Sequence, residues 1–225
     1  MSRRSSGTRK RQAAYDNQRL QFRDGSLFTV SESGESVYGE DVFRRNGVYE
    51  RRWETKRNKL SAAISLGLSD PNVRPGQNVL YLGASFGTGV SHIADLVFPG
   101  KVYAVELAYE PFLKLLDLSR NRTNIYPILD DANCPEKYRP FVDHAELIYQ
   151  DVSQRNQVQI FMRNSEIFSE ARQGLLFLKL RSISSSRPAE EVLQKSVDSL
   201  TGVSIDSVIN MDRFHKGHYL ITMHR

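Results

Sequence analysis

The sequence has a single cysteine and no long apolar run, and no apolar segment follows its basic N-terminus. Cys134 alone excludes an internal disulfide and a metal site built from several cysteine thiolates, and we expect no metal. No run approaches the roughly 20 apolar residues that a membrane-spanning helix requires, so we expect no membrane partner. MSRRSSGTRKRQ is not followed by the apolar stretch of a secretory signal, which indicates a reducing, intracellular setting.

The net charge of the chain is concentrated at the N-terminus. The net charge is +5 and the pI is about 9.3. Residues 1–24 contain seven basic and two acidic residues, so the whole excess lies there. A basic excess favours a polyanionic partner such as nucleic acid, because each neutralised phosphate releases counterions. In the rest of the chain the charges nearly balance, so an RNA-binding surface there must come from local arrangement.

Composition divides the chain into three parts. Residues 1–15 are polar without periodicity and are predicted to be a disordered arm. Residues 16–54 are predicted to form a small β-rich subdomain. Residues 55–225 are long enough for one α/β domain.

Short extended stretches characterise the predicted N-terminal subdomain. Asp24-Gly25 lies between two alternating stretches, which predicts a β-hairpin. Further extended pieces are predicted at 36–38 and 48–53. The apolar spacing of RNKLSAAISLGL then predicts a helix over 57–68, with Lys59 at its beginning.

Strand-like apolar runs alternate with helical patterns in the rest of the chain. Strands are predicted at 78–82, 102–106, 125–129, 145–149 and 175–180, and helices near 90–97, 111–120, 157–168 and 188–200. Continuous apolar runs are typical of a parallel sheet that is covered on both faces. VSIDSVINM and HYLITM follow with no room for a helix between them and must pair antiparallel. The predicted fold is an α/β, Rossmann-like sheet with an antiparallel C-terminal hairpin, which resembles the seven-stranded methyltransferase variant of the doubly wound fold.

A glycine-rich turn follows the first strand of this sheet. In VLYLGASFGTG the glycines are Gly83, Gly87 and Gly89. This G-x-x-x-G-x-G spacing differs from the dinucleotide fingerprint G-x-G-x-x-G and resembles motif I of S-adenosylmethionine-dependent enzymes. Glycines let the backbone approach a ligand closely, and the following helix offers free N–H groups. By itself, the motif is also consistent with an ordinary glycine-lined turn.

Acidic residues follow the next two strands. Glu106 ends VYAVE, where a carboxylate can accept hydrogen bonds from both ribose hydroxyls. Asp130-Asp131 follows IYPIL, where an acid can accept from an adenine amine. Each residue alone is equally consistent with a solvated carboxylate or a helix cap. Together with the glycine turn they predict a nucleoside site, and S-adenosylmethionine is favoured.

Asp151 and Lys179 follow or end the fourth and fifth parallel strands, at the ligand-facing edge of such sheets. Methyl transfer from a sulfonium to a ribose hydroxyl requires alignment of the reacting atoms and a group that takes the proton or stabilises the developing charge. A lysine can serve in either role, and a nearby acid orients it. Lys59 and His218 could reach this place only through the fold, and each alone is more typical of a surface or structural residue.

Six segments of the chain carry a family resemblance. GESVYGE, RNKLSAAI, VLYLGASFGTGVSHIADLV, YAVE with NIYPILDDANCPEKYR, QDVSQ and the terminal HKGHYLITMHR resemble fibrillarin, in order over roughly residues 20–225. The arm lacks glycine–arginine repeats, so the chain is more similar to the archaeal type.

The resemblance implies the methyltransferase fold with a small N-terminal β domain, and ribose 2′-O-methylation of ribosomal RNA and, in archaea, transfer RNA. The implied partners are a box C/D guide RNA, its target RNA, a Nop-domain scaffold protein and a kink-turn-binding ribosomal-type protein. The implied cofactor is S-adenosylmethionine, which yields S-adenosylhomocysteine. The implied location is the cytoplasm of an archaeal-type cell, or the nucleolus if the cell is eukaryotic.

Matching the family's motifs to this chain implies two sets of site residues. The implied catalytic residues are Lys59, Asp151, Lys179 and His218. The implied cofactor contacts are Gly83, Ala84, Thr88, Gly89, Glu106, Leu107, Asp131, Ala132, Asp151, Val152, Ser153 and Gln154.

The chain departs from the family at several of these motifs. Phe86 stands where a small polar residue is usual, Gly89 replaces a threonine, and Gly217 replaces an acid. Arg181 competes with Lys179 for the alignment of the catalytic lysine. Three alternatives therefore stay open: a methyltransferase for a protein or small molecule, a scaffold that has lost turnover through Phe86 and Gly89, and a dinucleotide oxidoreductase, against which the glycine spacing counts.

Overall fold

The computed structural model describes residues 17–225, and the predicted arm at 1–15 lies outside the described residues. The first four strands are β1 (Leu20–Arg23), β2 (Ser26–Ser31), β3 (Val42–Arg45) and β4 (Val48–Arg52), which form an antiparallel sheet in the order β1-β2-β4-β3. The predicted hairpin is confirmed. Asp24 and Gly25 have φ values of 48° and 78°, the left-handed conformation that a two-residue turn of this kind requires.

The extended piece predicted at 36–38 is wrong, because these residues lie in a loop. The Glu40 carboxylate accepts hydrogen bonds from the backbone N–H groups of Val37 (3.0 Å) and Tyr38 (2.8 Å), so these amides do not pair with a strand. The third strand is β3 instead. Its side chains are mostly exposed, so it lacks the apolar alternation from which a strand is predicted.

Helix α1 (Lys59–Ser65) leads from this sheet into a second, larger one. The elements that follow are β5 (Val79–Leu82), α2 (Thr88–Val97), β6 (Val102–Glu106), α3 (Tyr109–Asn121), β7 (Ile125–Leu129), α4 (Pro135–Tyr138), a 3-10 turn (Arg139–Phe141), β8 (Leu147–Gln150), α5 (Gln157–Ile167), β9 (Gln173–Lys179), α6 (Leu180–Ile183), α7 (Ala189–Asp198), β10 (Ser204–Asn210) and β11 (His218–His224). The strand order is β10-β11-β9-β8-β5-β6-β7. Strands β5 to β9 are parallel, and β11 lies antiparallel between β9 and β10. The predicted fold class is confirmed.

Apolar side chains pack on both faces of the large sheet. One cluster includes Leu60 of α1 and Ile93 of α2, and Trp53 at the end of the small sheet belongs to it. The other cluster, on the opposite face, includes Tyr103 and Phe161. Because Trp53 is buried in the first cluster, the small sheet shares a core with the large one. No helix in residues 17–225 is long and apolar enough to cross a membrane.

A buried group of ionisable side chains connects the small sheet to α2. We call it the Arg51 cluster (Arg51, Glu40, Asp95 and His92). The Arg51 guanidinium donates to Glu40 Oε1 (2.8 Å) and to Asp95 Oδ2 (2.7 Å). Thr29 Oγ1 lies 2.9 Å from both Asp95 Oδ2 and His92 Nδ1. Burial, together with the charge of Arg51, holds the pKa of His92 well below its ordinary value, so the imidazole is neutral.

Candidate active site

Five residues predicted from strand ends meet at one edge of the large sheet. Gly83, Glu106 and Asp130 follow or end β5, β6 and β7, and Asp151 and Lys179 follow or end β8 and β9. The carboxyl ends of parallel strands share an edge, which is the usual ligand site of this kind of sheet. Two adjoining cavities open here, and both are lined by Lys59, Gly83, Ser85 and Asp151.

The first cavity has a volume of about 430 Å³, and we call it the nucleoside cavity. The predicted cofactor contacts that line it are Gly83, Glu106, Leu107, Ala132, Asp151, Val152, Ser153 and Gln154. Asp130 lines it, whereas the neighbouring Asp131 does not. The Asp131 carboxylate instead accepts hydrogen bonds from the backbone and side-chain amides of Asn133, each at 2.9 Å.

The glycine turn shapes the wall of this cavity. Gly83 has a φ of 85°, and a Cβ there would lie 2.9 Å from the carbonyl oxygen of Asp151. Only glycine therefore allows β5 and the loop after β8 to approach this closely. Ser85 N–H donates to Glu106 Oε2 at 2.7 Å, which holds that carboxylate at the cavity wall.

The acceptors in the nucleoside cavity suit a nucleoside rather than a metal ion. Glu106 and Asp130 offer carboxylate oxygens to hydroxyl and amine groups, and Ala132 and Val152 offer apolar surface. In residues 17–225 no group of three or more metal-ligating side chains converges. The chemistry of these residues fits the predicted S-adenosylmethionine.

The second cavity has a volume of about 560 Å³, and we call it the basic cavity. The predicted residues Ala84, Thr88 and Gly89 line it, together with Lys56, Arg57, Asn58 and Phe86. At Gly89 a Cβ would collide with the Tyr81 hydroxyl group, so in this chain the tyrosine occupies the space that a larger residue would need. Lys56 and Arg57 were not predicted as site residues, although the basic run KRNK at the start of α1 indicated a local positive charge.

Three charged groups meet between the cavities, and we call them the Asp151 cluster (Lys59, Asp151 and Lys179). Lys59 Nζ donates to Asp151 Oδ2 at 2.6 Å. Lys179 Nζ donates to the Asp151 carbonyl oxygen (2.9 Å) and to Ser153 Oγ (2.7 Å). Asp151 Oδ1 lies 2.9 Å from Lys179 Nζ and forms the second ion pair of the cluster. Each carboxylate oxygen of Asp151 therefore faces one lysine ammonium group.

Local structure positions both lysines. The side chain of Asn58 caps α1 by accepting from the N–H groups of Leu60 and Ser61, which places Lys59 in the first turn of the helix. At the end of β9, the Lys179 N–H donates to Gln157 Oε1 at 2.9 Å. The two ammonium groups therefore approach Asp151 from different elements.

Burial lowers the pKa of Lys179, and the positive charge of Lys59 lowers it further, while the charge of Asp151 opposes both effects. A larger fraction of Lys179 is therefore neutral at a given pH than of a free lysine. A neutral amine can accept a proton, which a charged one cannot.

His218 lies beside the cluster but lines neither cavity. It pairs with Lys179 across β9 and β11, and its Nδ1 donates to the Lys216 carbonyl oxygen at 3.0 Å. Burial lowers the pKa of His218. Arg181, which competed with Lys179 in the sequence alignment, is exposed on α6 and also lines neither cavity. The geometry favours Lys179.

The fibrillarin family model matches residues 11–225. The chain belongs to the fibrillarin family. It is similar to a Thermoplasma acidophilum protein named Fibrillarin-like rRNA/tRNA 2′-O-methyltransferase, with 49% identity over 195 residues, which cover 87% of this chain and 84% of the relative.

Two solved fibrillarin structures share the fold. One is a fibrillarin/Nop5p complex (TM-score 0.85, 40% identity, covering 92% of this chain and 98% of that one). The other is Aeropyrum pernix fibrillarin with natively bound S-adenosyl-L-methionine (TM-score 0.80, 38% identity, covering 91% and 92%). The family resemblance expected from the sequence segments is confirmed.

Proposed function

We propose that this fibrillarin-family chain transfers methyl groups from S-adenosylmethionine to ribose 2′-hydroxyls of ribosomal RNA and of transfer RNA. The observation that carries the proposal is the Asp151 cluster, which lies between a nucleoside cavity and a basic cavity and brings two lysine ammonium groups to one partly exposed carboxylate. The names of the relatives and the cofactor bound to one of them support it.

Bound S-adenosylmethionine supplies a methyl group activated by a sulfonium. Glu106 and Asp130 would hold the ribose hydroxyls and the adenine amine in the nucleoside cavity. The family resemblance also implied Asp131, whose Oδ1 accepts hydrogen bonds from Asn133.

At the acceptor, the partly exposed Asp151 carboxylate and Lys179 would contact the ribose 2′-hydroxyl and so orient it. Lys179, as the neutral amine, takes the hydroxyl proton while the oxygen–carbon bond forms and the carbon–sulfur bond breaks. The products are the 2′-O-methyl ribose, S-adenosylhomocysteine and a protonated Lys179. Lys59 orients Asp151 through their ion pair, and His218 lies beside Lys179 on the adjacent strand.

The activity is tested by methyl transfer from labelled S-adenosylmethionine to a guide-matched RNA in a reconstituted complex. We expect label at the ribose of the guided nucleotide, and none when that nucleotide is a 2′-deoxynucleotide. No transfer from a fully assembled, cofactor-binding complex would contradict the proposal and favour a scaffold or a different acceptor.

The proposed assembly contains a box C/D guide RNA, a Nop-domain scaffold protein and a kink-turn-binding protein. The balanced charge beyond residue 24 favours guide pairing over direct sequence recognition. Tyr109, Leu113 and Leu116 form an exposed apolar stripe along α3, and the exposed Leu107 lies beside it at the nucleoside cavity. Such a stripe supports a protein partner, and a fibrillarin relative has been solved with Nop5p.

The stripe can be tested with a matched pair of substitutions on α3. Leu113→Asp places a charge within the stripe, and we expect it to weaken scaffold binding at least about tenfold while cofactor binding is kept. Lys114→Asp introduces the same carboxylate one residue away, off the stripe, and is expected to have little effect. Equal weakening by both variants would contradict a docking role for the stripe.

A further inference from the structure

Phe86 is an exposed aromatic residue at the tip of the glycine turn, and 51% of its surface is accessible. Its neighbours Ser85 and Gly87 both have left-handed φ values, 49° and 82°. Left-handed backbone is strained for serine, and such strain is concentrated at functional loops. A Cβ at Gly87 would collide with Leu115 and Leu118 of α3, so the turn packs closely on this helix and requires glycine there. The turn therefore presents the ring of Phe86 to solvent instead of burying it.

The ring lines the basic cavity rather than the nucleoside cavity. Lys56 and Arg57 line the same basic cavity. The Arg57 guanidinium stacks over the Tyr38 ring at 5.7 Å and has only a long contact, 3.8 Å, with Glu54. Its charge thus remains available to a ligand. Phe86, the cations Lys56, Arg57 and Lys59, and Asp151 thus line one cavity.

Double-stranded RNA matches this arrangement. An A-form duplex exposes its ribose 2′-hydroxyls in a wide, shallow minor groove, bordered by the phosphates of both strands. A 2′-hydroxyl can therefore reach Asp151 without its base leaving the duplex. Sugar carbon atoms would then face the ring of Phe86, while flanking phosphates would face Lys56 and Arg57.

We propose that Phe86, Lys56 and Arg57 form a minor-groove contact that holds the acceptor ribose of a guide–target duplex over Asp151. This inference rests on the proposed function and adds a recognition surface to it. Phe86 supplies apolar contact with the sugars, and the two cations supply phosphate contact. Because its side chain carries no group that can transfer a proton, Phe86 strengthens RNA binding without taking part in the reaction.

The test uses the assembled complex and a short target RNA that pairs weakly enough to exchange. For Phe86→Ser we expect the KM for target RNA to rise about five- to tenfold, since roughly half of a phenyl group loses its apolar contact, with kcat changed less than about threefold. Phe86→Leu should recover most of the effect, because the contact needs apolar surface rather than an aromatic face. Phe141→Ser, which changes another exposed phenylalanine outside both cavities, should leave the KM unchanged.

Salt dependence separates the two kinds of contact. Arg57→Ala should weaken target binding and reduce the slope of log affinity against log salt by about one, whereas Phe86→Ser should leave the slope unchanged. Equal losses of cofactor and RNA affinity in Phe86→Ser would overturn the inference, because the ring would then cover the cofactor. An unchanged KM in Phe86→Ser would also overturn the inference, but the proposed function would stand as long as the wild type carries out guided methylation. If the wild type transfers no methyl group, both the inference and the proposed function are contradicted.

Discussion

The molecule contains two clusters of buried charge that differ in how completely they are enclosed. In the Arg51 cluster the side chains of Arg51 and Glu40 are both 0% exposed, and both Glu40 oxygens accept hydrogen bonds. In the Asp151 cluster the three side chains are 14–18% exposed, and Lys59 and Asp151 line two cavities. Similar ion pairs thus stabilise the fold where they are fully enclosed, and are accessible to a substrate where they are partly open.

The largest effect should come from the open cluster. Lys179→Ala removes the proposed proton acceptor, so we expect kcat to fall about 10²- to 10⁴-fold with cofactor affinity little changed. The melting temperature should change little, because Asp151 keeps its ion pair with Lys59. Guided methylation and thermal unfolding are the measurements. Arg181→Ala, which removes an exposed cation nearby, is the control, and a large loss in that variant would move the role to Arg181.

The closed cluster should respond in the opposite way. Arg51→Ala leaves Glu40 and Asp95 buried without their partner, and we expect it to cost about 3–5 kcal/mol of unfolding free energy. At about 2–4 °C per kcal/mol, the melting temperature would fall by about 6–20 °C. Arg52→Ala is the adjacent control, since Arg52 pairs with Asp41 on the surface and contributes at most about 1 kcal/mol. Similar melting curves for the two variants would contradict a structural role for the enclosed cluster.

The strand ends explain why much of the site was predictable. Glu106, Asp151 and Lys179 each follow or end an apolar run, and parallel strands bring such positions to one edge. The helix start at Lys59 and the strand start at His218 carry no comparable signal. Their proximity to Asp151 depends on how α1 and β11 pack, which only the family resemblance indicated.

Contacts made by single side chains were not predictable. Whether Asp130 or Asp131 faces the nucleoside cavity depends on how the chain turns after β7, and Asn133 takes the carboxylate of Asp131. Arg51 lies in a strand between the charged residues Glu50 and Arg52, so the sequence pattern indicates a surface residue. Its burial depends on Asp95 and Glu40, which are 44 and 11 residues away in the chain.

A smaller effect concerns the pH dependence of the open cluster. Because the charge of Lys59 lowers the pKa of Lys179, Lys59→Ala should raise that pKa. If neutral Lys179 is the base, the rising limb of kcat against pH then moves to higher pH. Lys56→Ala should leave the limb in place, and so should His218→Gln, because His218 is not the group that titrates. A limb that disappears with His218→Gln would assign it to the histidine, whose pKa the charge of Lys59 also lowers.

The smallest effect should appear in the stability of the closed cluster below neutral pH. The folded pKa of His92 is far below its ordinary value of 6.5, whereas the unfolded chain regains that value. The unfolded state therefore binds one more proton as the pH falls below about 6.5, and each pH unit costs up to about 1.4 kcal/mol of stability. His92→Gln should remove this part of the slope between about pH 6.5 and 5, whatever its effect on stability at pH 8. Denaturant unfolding at several pH values measures how the unfolding free energy depends on pH. An unchanged pH dependence in the variant would contradict the lowered pKa of His92 in the folded protein.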